Sequence, residues 1–401
     1  MTDRPMTDRI APHLDVDLTD VADPFAAFAR WREQAPVHRA STPTGEAVWL
    51  VTRHDDVRQL LADPRLRLDK THSTAGYRGY ALPAALDANL LNLDPPDHTR
   101  LRRLVAKAFT PRRVEELQPG IEAAVAELLD GIAGRGRADL VADLATPLPL
   151  TVIGELLGVP REERAAFRGW TNDVVTPRSA AQARDAITSM EEFLRSLIAR
   201  KRAAPADDLI SAMIEARDDQ DRLSEDELTS LAFLTLWAGY EVTADLLGAG
   251  IVALLRHRAQ FDLIREHPEL AAGAVEELIR WVSPNPYAIR RFPTEPVTVG
   301  ETTIPVGETV LLALGAADRD PGQFARPDEI DIRRGNAGAH LGFGRGIHYC
   351  LGAPLARAEV AAALRGLTSR FPRLRIDGPA DALRWRASYR TRGLLALPVT
   401  F

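Results

Sequence analysis

The most apolar window of the chain, residues 228–255, is interrupted only by the charges of Glu241 and Asp245. Two acids in such a run mark a buried core helix and not a membrane span. Ser224-Glu225-Asp226-Glu227 stands in front of it as a capping box, so a helix is predicted from there to about Arg256. Helices are also predicted over 98–109, 114–132, 149–157 and 180–202. Two more are expected, one from Pro268 to about Ser283-Pro284 and one over 354–371, with a short helix at 55–61. Residues 47–52 form a short β-prone run. Residues 297–314 alternate, with Gly and Pro punctuation, as in a small sheet. The tail, 383–401, reads as a hairpin turning at Arg392-Gly393. Residues 63–92 follow no period and are a candidate loop over a pocket. The expected architecture is mainly α with small β-sheets, an α+β domain.

The chain has 401 residues and neither a linker nor an internal repeat divides it, so 1–401 reads as one domain with residues 1–10 as a flexible tail. A net charge of −6 argues against a nucleic-acid partner. The N-terminus carries charges and no apolar signal-peptide core, and there is one cysteine. A reducing, cytoplasmic setting without a membrane is expected.

That cysteine is the most specific chemical signal. Cys350 lies in Phe343-Gly344-Arg345-Gly346-Ile347-His348-Tyr349-Cys350-Leu351-Gly352. Alone, it cannot form an internal disulfide, and it is too few for a zinc cluster. It can donate one thiolate to one metal. Gly344 and Gly346 permit turns that a Cβ would obstruct, and Gly352 permits the close approach of a flat group. A helix begins just beyond, and its dipole and free N–H groups favour a thiolate. A small buried cysteine beside a glycine turn is the alternative.

The F-G-x-G-x-H-x-C-x-G pattern resembles the haem-binding loop of the cytochrome P450 family. The resemblance extends over essentially the whole chain. It implies haem b (iron protoporphyrin IX) between the long central helix and the helix after the cysteine loop, with Cys350 as the iron ligand. Phe343, Gly344, His348 and Gly352 would belong to the cofactor site. His98 and Arg102, one helical turn apart, and Arg291 match family positions that meet haem propionates. Glu277-x-x-Arg280 matches the family's structural ion pair. Arg334 best fits the second arginine, with Arg333 a close competitor.

Ala238-Gly239-Tyr240-Glu241-Val242-Thr243 resembles the family's oxygen-binding motif, in which an acid is followed by an alcohol. Small residues at 238 and 239 would make room for O2. Here Val242 follows the acid and has no hydroxyl, and Thr243 lies about 100° further around the helix. Leu234, Trp237, Ala238 and Glu241 share a helical face that the register points at haem and substrate. Trp237 would line the pocket, or pack against a neighbouring helix. Ala288, Ile289 and Tyr389 are further pocket positions.

The resemblance implies a haem-thiolate monooxygenase that oxidises a small biosynthetic molecule with O2 and NAD(P)H-derived electrons. No reductase domain is present, so a ferredoxin and its reductase are the expected partners of a monomer. Arg102, Arg103, Lys107, Arg112, Arg113, Arg345 and Arg357 would steer an acidic donor, or are a solvated face. Three alternatives remain: oxidative coupling or desaturation of an aromatic substrate without oxygen insertion, a non-catalytic haem-binding or sensing protein, and an electron-transfer protein. The last needs two strong iron ligands, and no Met or second Cys is placed to serve.

Overall fold

The computed structural model describes residues 23–43, 45–76, 82–175, 177–218 and 223–401. The expected N-terminal tail lies outside them. Helix dominates, with small sheets at the edges, as the hydrophobic pattern predicts.

The organising element is the 32-residue helix Glu225–Arg256. Its capping box forms in full: Ser224 Oγ accepts from Glu227 N at 3.1 Å, and Glu227 Oε2 accepts from Ser224 N at 2.8 Å. Helices Pro147–Leu157, Ala180–Ala203, Ala271–Val282 and Ala353–Arg370 pack around it. Its most apolar window is long enough to cross a membrane, but 72% of that window is buried inside the fold, as a core helix requires. Gly250 brings it close to Ala271–Val282, where a Cβ would meet Leu278 at 3.2 Å. The main hydrophobic core gathers apolar residues from all these helices.

A three-stranded sheet joins Val37–Ser41 and Ala47–Val51, antiparallel, to Val310–Leu312, which is parallel to Ala47–Val51. Helix Phe25–Gln34 covers one of its faces. Two expectations are corrected here. Residues 297–314 do not form one sheet. Val297–Val299 pairs with Thr302–Ile304, while Val310–Leu312 leaves to join the N-terminal strands. Its pairing is with the N-terminal strands, although Val310 and Leu312 still share a core cluster with Val297, Val299 and Ile304.

Nor does the tail turn at Arg392-Gly393. Trp385 bridges Leu394, Arg386 N donates to Gly393 O, and the chain reverses within 388–391, where Ser388 Oγ accepts from the N–H groups of Arg390 and Thr391. Strand Pro398–Thr400 then pairs with Arg137–Asp139 and Arg375–Ile376. Helices Phe25–Gln34, Arg161–Val175, Leu209–Asp218 and Arg258–Glu266 and strand Val37–Ser41 are additions to the predicted elements.

Candidate active site

Cys350 ends a loop tied by short-range bonds. Cys350 N donates to Phe343 O at 2.8 Å, Gly344 N to Leu341 O at 2.7 Å, and Tyr349 N to Gly346 O at 3.1 Å. Gly344 and Gly346 hold φ of +70° and +74°, where a side chain would be strained, and a Cβ on Gly346 would also fall 3.1 Å from Ala62 Cα. Helix Ala353–Arg370 begins three residues after the cysteine. The Cys350 side chain is solvent-accessible yet deeply set. Burial pushes its thiol up, while N–H groups of Gly352 and Ala353 and the guanidiniums of Arg102 and Arg357 oppose the rise.

Beneath this loop sits a network that sequence reasoning missed. Glu276 accepts from Arg357 Nε at 2.6 Å, from Arg357 Nη2 at 2.9 Å, and from His340 Nε2 at 3.2 Å. His340 Nδ1 in turn accepts from Gly342 N at 3.1 Å, and Asp318 Oδ1 accepts from Leu341 N at 2.6 Å. Phe343 is half-buried, with the Arg357 guanidinium 4.6 Å over its ring. Burial alone would raise Glu276, but its bonds to His340 and Arg357 win and hold it down at about 2.

One residue along, Glu277 and Arg280 are completely buried and paired at 2.7 and 2.8 Å. Arg334, not Arg333, brings the second guanidinium, with Nε 3.2 Å from both carboxylate oxygens. The cluster fastens 331–334, the approach to the cysteine loop, to helix Ala271–Val282.

On the other side of the loop, polar atoms converge without partners among the described residues. Both ring nitrogens of His98, Nε2 of His348 and Nε of Arg291 are buried and unbonded. The two imidazoles lie 4.2 Å apart. Burial pushes His348 down to about 3 and His98 down, each with help from Arg102, so both rings are neutral at physiological pH. Burial likewise lowers Arg291, to about 10. His98 and Arg102 share a helix, and one nitrogen of Arg102 is taken: its Nη2 donates to Tyr349 O at 2.6 Å. Buried donors left unpaired are costly, so this cluster is suited to an anionic group.

The central helix requires two corrections. Glu241 does not share the open face with Leu234 and Ala238. Ala238 is exposed and Leu234, Trp237 and Val242 are half-buried, but Glu241 is buried and its Oε1 accepts from Arg386 Nη1 at 2.7 Å. Its position at the edge of the apolar arc turns the carboxylate toward the C-terminal loop. Gly239 does not make room beside Ala238 either. A Cβ there would lie 2.5 Å from Ile153 Cγ1, so this glycine serves helix packing. Thr243 is buried. Trp237 meets Phe233 edge-on at 5.1 Å while remaining half-exposed, so it packs against its own helix and is not sealed in the core. Ala288 and Ile289 are half-buried, with Ala288 N bonded to Leu312 O. Tyr389 is half-buried, 6.4 Å from Tyr287.

Comparison with known proteins converges on one family. The Cytochrome P450 family model matches residues 264–378, which hold the Glu277 cluster and the cysteine loop. The chain is 47% identical over 381 residues to the cytochrome P450 monooxygenase PikC of Streptomyces venezuelae, covering 94% of this chain and 91% of that one. It is 42% identical to the 6-deoxyerythronolide B hydroxylase of Saccharopolyspora erythraea, covering 97% and 98%. The tirandamycin C-bound structure of the P450 monooxygenase TamI superposes with a TM-score of 0.91 at 43% identity, covering 96% and 99%. The chain belongs to the cytochrome P450 family and is a bacterial-type oxidoreductase of the monooxygenase kind. The family implies haem, and the site fits it. An accessible cysteine lies beside Gly352, which has nothing within 4 Å of its Cβ position, and the unbonded ring nitrogens of His98, Nε2 of His348 and Nε of Arg291 are suited to acidic substituents.

Proposed function

We propose that this protein is a haem-thiolate monooxygenase of secondary metabolism, acting on a small polyketide-like molecule. The observation that carries the reading is the accessible Cys350 in a glycine-shaped loop, beside buried ring and guanidinium nitrogens that have no partner among the described residues. Haem b fits this combination: Cys350 would hold the iron, and His98, His348, Arg291 and Arg102 would meet its propionates. Gly352 allows close approach, and Phe343 and Gly344 shape the loop. Bound there, a thiolate-ligated haem supplies the activation of O2.

The chain's own residues do the rest. The Gly352 and Ala353 N–H groups and the Arg102 and Arg357 guanidiniums favour the thiolate form. The Glu276 and Glu277 clusters hold the loop in place. Leu234, Trp237, Ala238 and Val242 give the substrate an apolar wall, completed by Ala288, Ile289 and Tyr389. Glu241, next to Val242 in the chain but held by Arg386, is the acid nearest this wall, and Thr243 is buried.

Electrons come from NAD(P)H through a separate ferredoxin and its reductase, to a monomer in the cytoplasm. Arg103, Lys107 and Arg345 are exposed, Arg103 with a protein contact of its own, and suit an acidic donor. Arg112 and Arg113 are shared with Glu116, and Arg357 with Glu276, which leaves them weaker in that role. Val242 favours a second reading, in which the substrate is coupled or desaturated and keeps no oxygen, because the usual alcohol donor is missing.

Turnover with ferredoxin, reductase, NADPH and ¹⁸O₂ on compounds that shift the haem spectrum tests both. Label in the product supports monooxygenation. An unlabelled dimer or alkene supports the second reading. No consumption of NADPH with any binding compound points to a sensor.

A further inference from the structure

We propose that Glu241, Asp245 and Arg386 form a proton store, two carboxylates around one guanidinium, which serves the open face of the central helix in place of the alcohol missing at Val242. Arg386 is its positioning residue. The inference rests on the monooxygenase reading and deepens it. Glu241 and Asp245 stand one turn apart on helix Glu225–Arg256 and are 6% and 4% exposed. Both converge on one nitrogen: Arg386 Nη1 lies 2.7 Å from Glu241 Oε1 and 3.4 Å from Asp245 Oδ2. Nη2 donates to Asp245 Oδ1 at 3.2 Å.

The charge count makes this a store and not an ordinary ion pair. Fully ionised, the cluster would carry one uncompensated negative charge away from water, which is costly. One proton held between the two acids removes it, and that proton belongs to the pair. Burial pushes both acids up, Asp245 to about 7, against the pull of Arg386. Among the described residues, Arg386 is the one opposite charge that acts on either acid. On the helix, the Trp237 side chain bonds Glu241, and neutral Tyr240 lies nearby. From the C-terminal loop come Arg386 itself and the Thr391 hydroxyl, 3.5 Å from Nη1.

The loop backbone is shaped for the cluster. A Cβ at Gly393 would fall 1.9 Å from Asp245 Oδ1 and 2.4 Å from its Cγ, so glycine there is what lets Asp245 reach Arg386. A stored proton leaves through Glu241, the member adjacent to Val242 and one turn from exposed Ala238. It passes to a water or substrate hydroxyl; both acids are then ionised around Arg386, and the net charge of −1 this leaves is removed when a proton from solvent reloads the pair. No electron moves in this step.

The test is an infrared pH titration of the full-length ferric holoprotein between pH 5 and 9, following the protonated-carboxyl stretch. In the wild type, a carboxyl signal is expected to vanish with a midpoint of about 7. Asp245→Asn should remove it. Arg386→Met should raise its midpoint by about 1–3 pH units, because an opposing charge is lost. Arg386→Lys, which keeps the charge, should restore most of the wild-type midpoint and serves if the Met variant folds poorly. With substrate, Asp245→Asn should divert electrons to peroxide, lowering product per NADPH severalfold while the carbon-monoxide spectrum is unchanged. An unaltered carboxyl titration in Asp245→Asn, or an unmoved midpoint in both Arg386 variants, overturns the store. Failure of the monooxygenase reading looks different: an intact carboxyl titration in a protein that never puts labelled oxygen into a product.

Discussion

Glu277→Ala removes the one carboxylate that joins two buried guanidiniums. Glu277 Oε1 accepts from Arg280 Nη2 at 2.8 Å, Asp331 N at 2.8 Å and Arg334 Nε at 3.2 Å, and Oε2 from Arg280 Nε at 2.7 Å. Breaking a buried pair from one side typically costs about 3–5 kcal/mol. Here the stranded cations keep other partners. Arg280 still donates to the carbonyls of Asp318, Pro327 and Glu329, and Arg334 to those of Ala325, Arg326 and Glu329. The loss is therefore of charge compensation and not of all hydrogen bonding, which places it in the lower part of that range, about 3–4 kcal/mol. With an unfolding entropy near 2 cal/mol/K per residue over a chain of this size, the melting temperature should fall by about 4–5 °C. Glu277→Gln should be nearly as damaging, since its amide keeps an acceptor but not the charge. Calorimetric melts of freshly purified holoprotein, with haem content measured alongside, read both effects. A fully loaded Ala variant melting within about 1 °C of wild type would refute the reasoning. A Gln variant indistinguishable from wild type would show that shape, not charge, holds 331–334 in place.

Cys350→Ala should abolish the carbon-monoxide difference band expected of thiolate ligation; a normal band in the variant sinks the assignment. Glu276 is held at about 2 against an ordinary 4.5, so its contribution to stability is present above pH 4.5 and lost as pH falls toward 2. At about 1.4 kcal/mol per pH unit this is about 3 kcal/mol, and Glu276→Gln should flatten that stretch of a denaturant-midpoint-versus-pH curve; an unchanged slope contradicts it. Arg345→Glu should slow reduction by a ferredoxin in a salt-sensitive way, with substrate affinity unchanged; equal stopped-flow rates at low salt remove the docking face. Val242→Thr should leave product per NADPH largely unchanged if protons come through Glu241; a many-fold rise would mean that the native site lacks an efficient proton path.

The helices were legible wherever local signals act alone. The Ser224 capping box and the apolar run behind it specify Glu225–Arg256 to within a residue, because both act between neighbours in sequence. The cysteine loop was legible for a different reason. Its turns need positive φ at Gly344 and Gly346, and only glycine meets that need at no steric cost. Arg334 was preferred to Arg333 only through the family resemblance, and its carbonyl partners at 325, 326 and 329 left no mark in the sequence. Strand Val310–Leu312 was visible as a strand and invisible as a partner, since nothing local records that its neighbour is Ala47–Val51. Gly239 was misread because a glycine beside a motif looks the same whether its missing Cβ yields to a ligand or to Ile153.

The acids at 241 and 245 show where such reading stops. Two charges one turn apart in the most apolar window demand a compensating cation, and that inference needs only the sequence. It does not say which cation. The chain carries 50 Lys and Arg, and the one chosen lies 145 residues from Glu241, on a loop whose turn was itself misplaced. The partner becomes specific only through the path of the C-terminal loop: the reversal within 388–391 returns Gly393 to Asp245, and the bond from Arg386 N to Gly393 O sets the guanidinium beside both acids. The proton chemistry of the central helix is therefore governed by the geometry of the tail. Changes in 384–395 that leave every residue of the helix intact should alter the titration of Glu241 and Asp245, because the charge that holds them is carried by the loop.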